Sequence, residues 1–142
     1  MIHTDLTKKA IKLCFEAHKD QKDKTDLPYI FHPFHLAEQM KDEYSTATAL
    51  LHDVVEDTDY TLEDLKNEGF PKEVVNAVAL LTHEEGIAYM DYIAKVKTNP
   101  IASAVKLADL AHNSDLTRYD TIDKWALKRT EKYKAAIAFL QK

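Results

Sequence analysis

Chain breakers are scarce here: glycine occurs twice and proline four times in 142 residues. So few glycines leave little room for tight hairpins and favour helices. Glycine-rich phosphate loops are excluded as well. No Walker-type or Gly-x-Gly-x-x-Gly segment is present, so a bound nucleotide must be held another way. Cys14 is the one cysteine, which rules out an internal disulfide and fits a reducing cytoplasm. Its setting, Ile11-Lys12-Leu13-Cys14-Phe15, reads as a buried small apolar residue rather than a nucleophile. No apolar run approaches the ~20 residues that span a bilayer. Met1-Ile2-His3-Thr4-Asp5 lacks the basic-then-apolar order of an export signal. A cytoplasmic location, off the membrane, is therefore expected. The net charge of -5 is opposite in sign to the basic face that nucleic acid selects, so no nucleic-acid partner is expected.

What is present is helical periodicity. At this length residues 1–142 form one domain, large enough to bury roughly two-thirds of the unfolded chain's surface. Thr4 or Asp5 caps a first helix carrying Leu6, Ala10, Leu13 and Ala17, which fades near Asp20. Residues 19–26 are polar and read as a loop. Pro33 opens a second helix to about Lys41, and Ser45 caps a third that continues through Val55. Thr61 to Asp64 resembles a capping box, and Gly69 ends its helix. Pro71 starts a helix with Val74, Val75, Val78 and Leu81; another runs from Gly86 to Lys97. Pro100 opens a long helix to about Arg118, and Thr121 or Asp123 starts the last. No useful period-2 pattern occurs. The expectation is an all-α bundle of about seven or eight helices.

Chemistry concentrates in two apolar runs, each interrupted by ionisable residues. The first is Ala49-Leu50-Leu51-His52-Asp53-Val54-Val55, followed by Glu56-Asp57; the second is Val105-Lys106-Leu107-Ala108-Asp109-Leu110. A histidine or carboxylate is costly to bury without a partner. On a continuous helix, His52 and Glu56 share a face, as do Asp53 and Asp57, and Asp109 and Asn113. Packing the two helices together places nitrogen and oxygen ligands around one point. His32, upstream, supplies another imidazole. Imidazole with carboxylate suits Mn²⁺, Fe²⁺ or Zn²⁺, and a structural zinc site without thiolates is not expected. His32, His52, Asp53 and Asp109 form a four-ligand set, with Glu56 and Asp57 one turn away to orient a metal-activated water or shuttle its proton. Taken one at a time, each residue has an ordinary alternative: a packed histidine, an aspartate bonded to backbone, or a solvated helix end. The last fits poorly, because carboxylates at a helix C-terminus oppose the dipole.

Three segments carry a resemblance. They are Pro28-Tyr29-Ile30-Phe31-His32-Pro33, then Ala49 to Thr58 with its His-Asp-x-x-Glu-Asp pattern, then Val105 to Asn113. Together they resemble the HD superfamily of metal-dependent phosphohydrolases. Over about residues 5–120 they are more closely similar to the hydrolase domain of RelA/SpoT-type proteins and the small alarmone hydrolases. The resemblance implies an all-α fold, a Mn²⁺ ion, and hydrolysis of the 3′-pyrophosphate of guanosine 3′,5′-bis(diphosphate). It implies His32, His52, Asp53 and Asp109 as metal ligands and Glu56 and Asp57 as catalytic carboxylates. It implies Asn113 as a contact to the substrate sugar. The chain is too short to hold the separate synthetase domain of long relatives, so alarmone synthesis is not expected.

Two positions depart from that pattern. Asp23 stands where the family usually has an arginine that packs on guanine, and Asp115 stands where arginine is common. Both replace a cation by an anion, which leaves open a hydrolase of another small nucleotide or phosphate ester. Another divalent metal and a catalytically idle metal- or nucleotide-sensing domain also remain as alternatives. Lys24, Lys106 and Arg118 are the cations left to meet phosphate, Lys24 first, against the ordinary reading of solvated surface residues. His18 and His83 read as structural, and His35 as a neighbour of the site or a surface residue. Trp125 and Tyr133 read as packing or as the surface of a homo-oligomer rather than a base platform.

Overall fold

Short polar side chains set most of the helix starts in the computed structural model, which describes residues 1–142. Nine α-helices follow in order: α1 Asp5–His18, α2 Phe31–Glu38, α3 Glu43–Leu51, α4 Val54–Asp57, α5 Leu62–Asn67, α6 Lys72–Leu81, α7 Tyr89–Lys97, α8 Pro100–Asn113 and α9 Lys124–Gln141. A 3-10 turn, Leu116–Arg118, lies between α8 and α9. The fold is all-α, as expected, with eight helices of six residues or more and α4 a single turn. Thr4 and Thr7 exchange side-chain and backbone hydrogen bonds at the start of α1, as Thr61 and Asp64 do at α5. Asp64 thus closes the expected box in place of the usual glutamate. Asn99 and Asp123 cap α8 and α9.

Several boundaries differ from expectation. Asp42, not Ser45, caps α3, accepting from the Ser45 N–H at 2.8 Å. α2 begins at Phe31, ahead of Pro33, and ends at Glu38. Pro33 is tolerated because the first-turn N–H groups have no intrahelical partner. α7 begins at Tyr89 rather than Gly86, since Gly86 sits at φ +86°, outside helical space. α8 stops at Asn113, and the 3-10 turn replaces its expected last stretch.

α3 is the central helix. It packs against α1, α2, α6 and α8, and every residue from Ser45 to Leu51 is buried. That enclosure explains why its residues from Ser45 onward are small or apolar on every side, with no charged face. Leu50 and Leu51 are fully buried within a core of 26 residues. Truncating either leucine to alanine costs about 2–5 kcal/mol by the usual cavity penalty. The C-terminal end of α3 is therefore firmly held, and His52 follows it directly. The expected continuous helix through Val55 does not form. The chain leaves the helix at Asp53 (φ −106°, ψ 1°) and resumes as α4. The single turn of α4 then carries Glu56 and Asp57 in a direction that α3 alone does not dictate. No helix is long and apolar enough to cross a membrane.

Candidate functional site

His52, at the end of α3, meets His32 from α2 and Asp109 from α8. All three are buried, and their ligand atoms lie within 4.8 Å of one another. His32 Nε2 is 2.8 Å from Asp109 Oδ1, and His52 Nε2 is 3.8 Å from the same oxygen. Asp53 Oδ2 lies 3.1 Å from His52 Nε2. The remaining atoms of these side chains are anchored by neighbours. His52 Nδ1 donates to the Ala49 carbonyl at 2.7 Å, which fixes the tautomer and leaves Nε2 facing the carboxylates. His32 Nδ1 pairs with His112 Nδ1 at 2.7 Å, with the two rings stacked. Asp109 Oδ2 accepts from Lys106 Nζ at 2.9 Å, and Oδ1 from Asn113 Nδ2 at 2.9 Å. Tyr29 donates its hydroxyl to Asp53 Oδ2. A single-turn helical spacing places Asn113 and Lys106 on the Asp109 face of α8.

The arrangement calls for a positive charge. His52 Nε2 is buried and has no hydrogen bond of good geometry, although two carboxylates are within 4 Å. Burial is the largest single influence and favours the neutral imidazole, yet the charges and hydrogen bonds of Asp53 and Asp109 together outweigh it and hold the His52 pKa well above its usual value. Burial raises Asp109, but Lys106 and the two histidines hold its pKa well below the usual carboxylate range. Asp53 is likewise lowered by His52 against the effect of burial. The raised His52 pKa marks a place that favours positive charge among two imidazoles and two carboxylates. Such a nitrogen and oxygen donor set, with an orphaned imidazole nitrogen at its centre, fits a borderline divalent ion.

A second group of acids adjoins the first. Asp53, Glu56 and Asp57 bring carboxylate oxygens within 4.8 Å of one another, with Glu56 and Asp57 exposed. Glu56 Oε1 accepts from the His83 N–H at 2.7 Å, and Gln21 Nε2 donates to the Asp57 carbonyl at 3.1 Å. Burial, then Asp53, then Glu56, raises the Asp57 pKa from 3.8 to about 6. A raised folded-state pKa gives stability that is present below the unfolded value of 3.8 and lost as pH rises through about 6. Asp57→Asn, which mimics the protonated form, is therefore expected to stabilise the metal-free protein at pH 8. The gain, discounted for exposure, is about 1 kcal/mol. Urea denaturation in chelating buffer measures it, and the gain should vanish near pH 4. An equal gain at pH 4 and pH 8 overturns the electrostatic account.

Asp53, Glu56, Asp109 and Asn113 open together onto a cavity of about 170 Å³. Its other walls include residues that the sequence did not mark: Tyr89 and Tyr92 of α7, and Lys132 of α9. Tyr133, read from sequence as packing or an oligomer surface, also lines it. Trp125 is not packed: it is exposed, between Lys124 and Lys128. Lys106 is not a surface lysine, since only 13% of its side chain is exposed and it pairs with Asp109. Lys24 is exposed on the α1–α2 loop and is not among the cavity's residues. Asp23 and Asp115 have local duties. Asp23 accepts from the Thr25 and Leu27 N–H groups and pairs with Arg118 at 3.4 Å, while Asp115 caps the 3-10 turn. Arg118 is thereby engaged by Asp23 and by the His112 carbonyl. His18 is buried against Tyr29, and His35 packs its exposed ring on His112. His83 stacks on Tyr92, and its backbone serves Glu56. Tyr29 had a legible signal, its place in Pro28-Tyr29-Ile30. Lys132 had none, because α9 reaches the site only through tertiary packing.

Comparison with known proteins adds an independent finding. No family model matches the chain. It is 33% identical over 137 residues to the guanosine-3′,5′-bis(diphosphate) 3′-pyrophosphohydrolase MESH1 of Xenopus tropicalis, covering 87% of this chain and 76% of that one. It is 34% identical over 123 residues to the protein of the same activity name from Aquifex aeolicus (strain VF5), covering 78% of this chain. It is 33% identical over 139 residues to a probable GTP pyrophosphokinase of Mycobacterium leprae (strain TN), covering 89% of this chain. The chain spans 18% of the length of each of these two long bacterial relatives. A solved structure of a metazoan ortholog of SpoT, described as hydrolysing ppGpp, superposes with a TM-score of 0.76. It covers 99% of this chain and 87% of that one at 22% identity, a likeness of fold.

Proposed function

The chain belongs to the guanosine-3′,5′-bis(diphosphate) 3′-pyrophosphohydrolase family that includes MESH1, and from that premise we propose that it hydrolyses the 3′-pyrophosphate of such alarmones in a metal-dependent reaction. The observation that carries this reading is the convergence of His32, His52 and Asp109, with Asp53 Oδ2 3.1 Å from His52 Nε2 and the exposed carboxylates of Glu56 and Asp57 beside Asp53. His32, His52, Asp53 and Asp109 would hold the ion, manganese being the metal the family resemblance implies. Bound there, a divalent ion supplies Lewis acidity and a nucleophilic water near neutral pH.

The remaining work falls to the chain's own side chains. Asp57, with its pKa raised to about 6, is suited to accept a proton near neutrality and return it to the leaving group. Glu56 is oriented by the His83 N–H, which leaves Oε2 to align the attacking water. Asn113, tethered to Asp109, presents its amide beside the cavity, where it can meet a substrate hydroxyl. In the balanced reaction water attacks phosphorus, the phosphorus bond to the 3′ oxygen breaks, and the departing 3′ oxygen takes a proton. The products are guanosine 5′-diphosphate and pyrophosphate.

One observation favours a second substrate. Asp23 and Arg118 neutralise each other, so neither offers free charge to guanine or phosphate. A different small nucleotide or phosphate ester then becomes the substrate of the same centre. A nucleotide panel assayed with Mn²⁺ separates the readings. Pyrophosphate release from guanosine 3′,5′-bis(diphosphate), abolished by chelation, is the expected result. Release of phosphate from other esters, with none from the bis(diphosphate), selects the second reading. Tight nucleotide binding without any turnover selects a sensing domain.

A further inference from the structure

The cavity beside the metal ligands contains two lysines with different duties. Lys106 is half of an ion pair with Asp109 at 2.9 Å, so its charge is already committed. Lys132 reaches the same cavity from α9 and forms no ion pair with any carboxylate. Its Nζ instead lies 4.0 Å from the centroid of the Tyr89 ring. Tyr89 lines the cavity too, and its hydroxyl is a buried donor with no hydrogen-bond partner. A native buried hydroxyl without a partner is unusual, and a ligand oxygen is one way to satisfy it.

The charge balance of the cavity shows which ligand. Asp53, Glu56 and Asp109 already face this space, so a polyanion entering it meets repulsion. A divalent ion held by His32, His52, Asp53 and Asp109 would offset part of that charge. The far end of a diphosphate needs a cation of its own, together with hydrogen-bond donors. We propose that Lys132 and Tyr89 form a phosphate-gripping subsite that holds the terminal phosphate of the pyrophosphoryl group during its release. Lys132 supplies the charge and Tyr89 the hydroxyl donor, with the Tyr89 ring holding the ammonium in place by a cation–π contact. Selection for a diphosphate over a monophosphate at the cleaved position then resides in α7 and α9, away from the metal ligands. This inference rests on the hydrolase reading above, deepens it, and can be tested separately.

The test uses radiolabelled inorganic pyrophosphate and the full chain at fixed free Mn²⁺, read by equilibrium binding rather than turnover. Lys132→Ala is expected to weaken binding at least tenfold. Lys132→Arg should restore it to within about threefold, since the charge returns. Tyr89→Phe, which keeps the ring and removes the donor, is expected to weaken binding three- to tenfold. Lys128→Ala, one turn earlier on α9 and over Trp125, should leave binding unchanged. With the bis(diphosphate) as substrate, Lys132→Ala should raise KM by a similar factor. Wild-type affinity in Lys132→Ala overturns the proposal, and so does a wild-type protein that binds no pyrophosphate. Lys132-dependent pyrophosphate binding in a protein that fails to hydrolyse the bis(diphosphate) upholds the subsite and rejects that substrate.

Discussion

Asp109→Ala is expected to remove metal binding, activity and a large part of the stability in one step. Asp109 Oδ1 meets His32 and Asn113, while Oδ2 holds Lys106. Removing the carboxylate would take one proposed ligand from the centre and detach the orienting contact to a second, His32. It also leaves the Lys106 ammonium buried and unpaired, and breaking a buried pair in this way costs about 3–5 kcal/mol. A second substitution separates the two losses. Asp109→Ala with Lys106→Met removes the orphaned charge and should recover most of the stability, yet it cannot recover the metal. Elemental analysis of the purified variants and urea midpoints read these outcomes. Full metal content in Asp109→Ala would remove Asp109 from the ligand set. Failure of the double variant to recover stability would show that the ion pair is not the source of the loss.

Glu56→Gln is expected to separate chemistry from binding. Glutamine matches the shape of glutamate, and its carbonyl oxygen can still accept from the His83 N–H now 2.7 Å from Glu56 Oε1. Glu56 is not among the four proposed ligands, His32, His52, Asp53 and Asp109, and its Oε1 is turned to the His83 N–H, so metal content should be retained. What is lost is the negative charge that aligns water or accepts its proton, a contribution of typically ~10²–10⁴ in rate. The expected result is a fall in kcat of at least ~100-fold with full metal occupancy. Normal turnover in Glu56→Gln would leave Asp57 as the sole carboxylate with a chemical role. The raised pKa of Asp57 suits that role, so the two carboxylates need to be tested separately.

Much of the fold was legible because its signals are local. Thr61 and Asp64 close a capping box within four residues, and Asp123 caps the last helix by accepting from the Ala126 N–H. The helical spacing of Ala47, Leu50 and Leu51 marked a helix, but the burial of all seven residues from Ser45 to Leu51 came only with packing on four sides. The break at His52-Asp53 was not legible. Nothing in Leu51-His52-Asp53-Val54 forbids a helix, and Asp53 leaves helical geometry beside Tyr29 and His52, contacts made through the fold. Reading Glu56 and Asp57 as helical neighbours of His52 assumed a helix that does not continue. The carboxylates still gather, because α4 turns them toward Asp53.

The candidate site residues stood out for a related reason. Ionisable residues inside apolar runs are costly unless partnered, so His52 and Asp109 mark themselves along the chain. Residue type and pattern were therefore enough to identify the helices, the all-α class and the candidate ligands. Which atoms face one another depends on helix packing across long separations. The packing of α2, α3 and α8 joined His32 to Asp109 over 77 positions. Tertiary packing also buried Lys106 and its same-helix partner Asp109, and it brought Asp23 of the α1–α2 loop to Arg118 of the 3-10 turn. The packing of α7 and α9 on α8 carried Tyr89 and Lys132 to the cavity wall, where no periodicity or motif had placed them. Sequence spacing records neighbours within a helix turn; only three-dimensional packing brings the distant partners into reach.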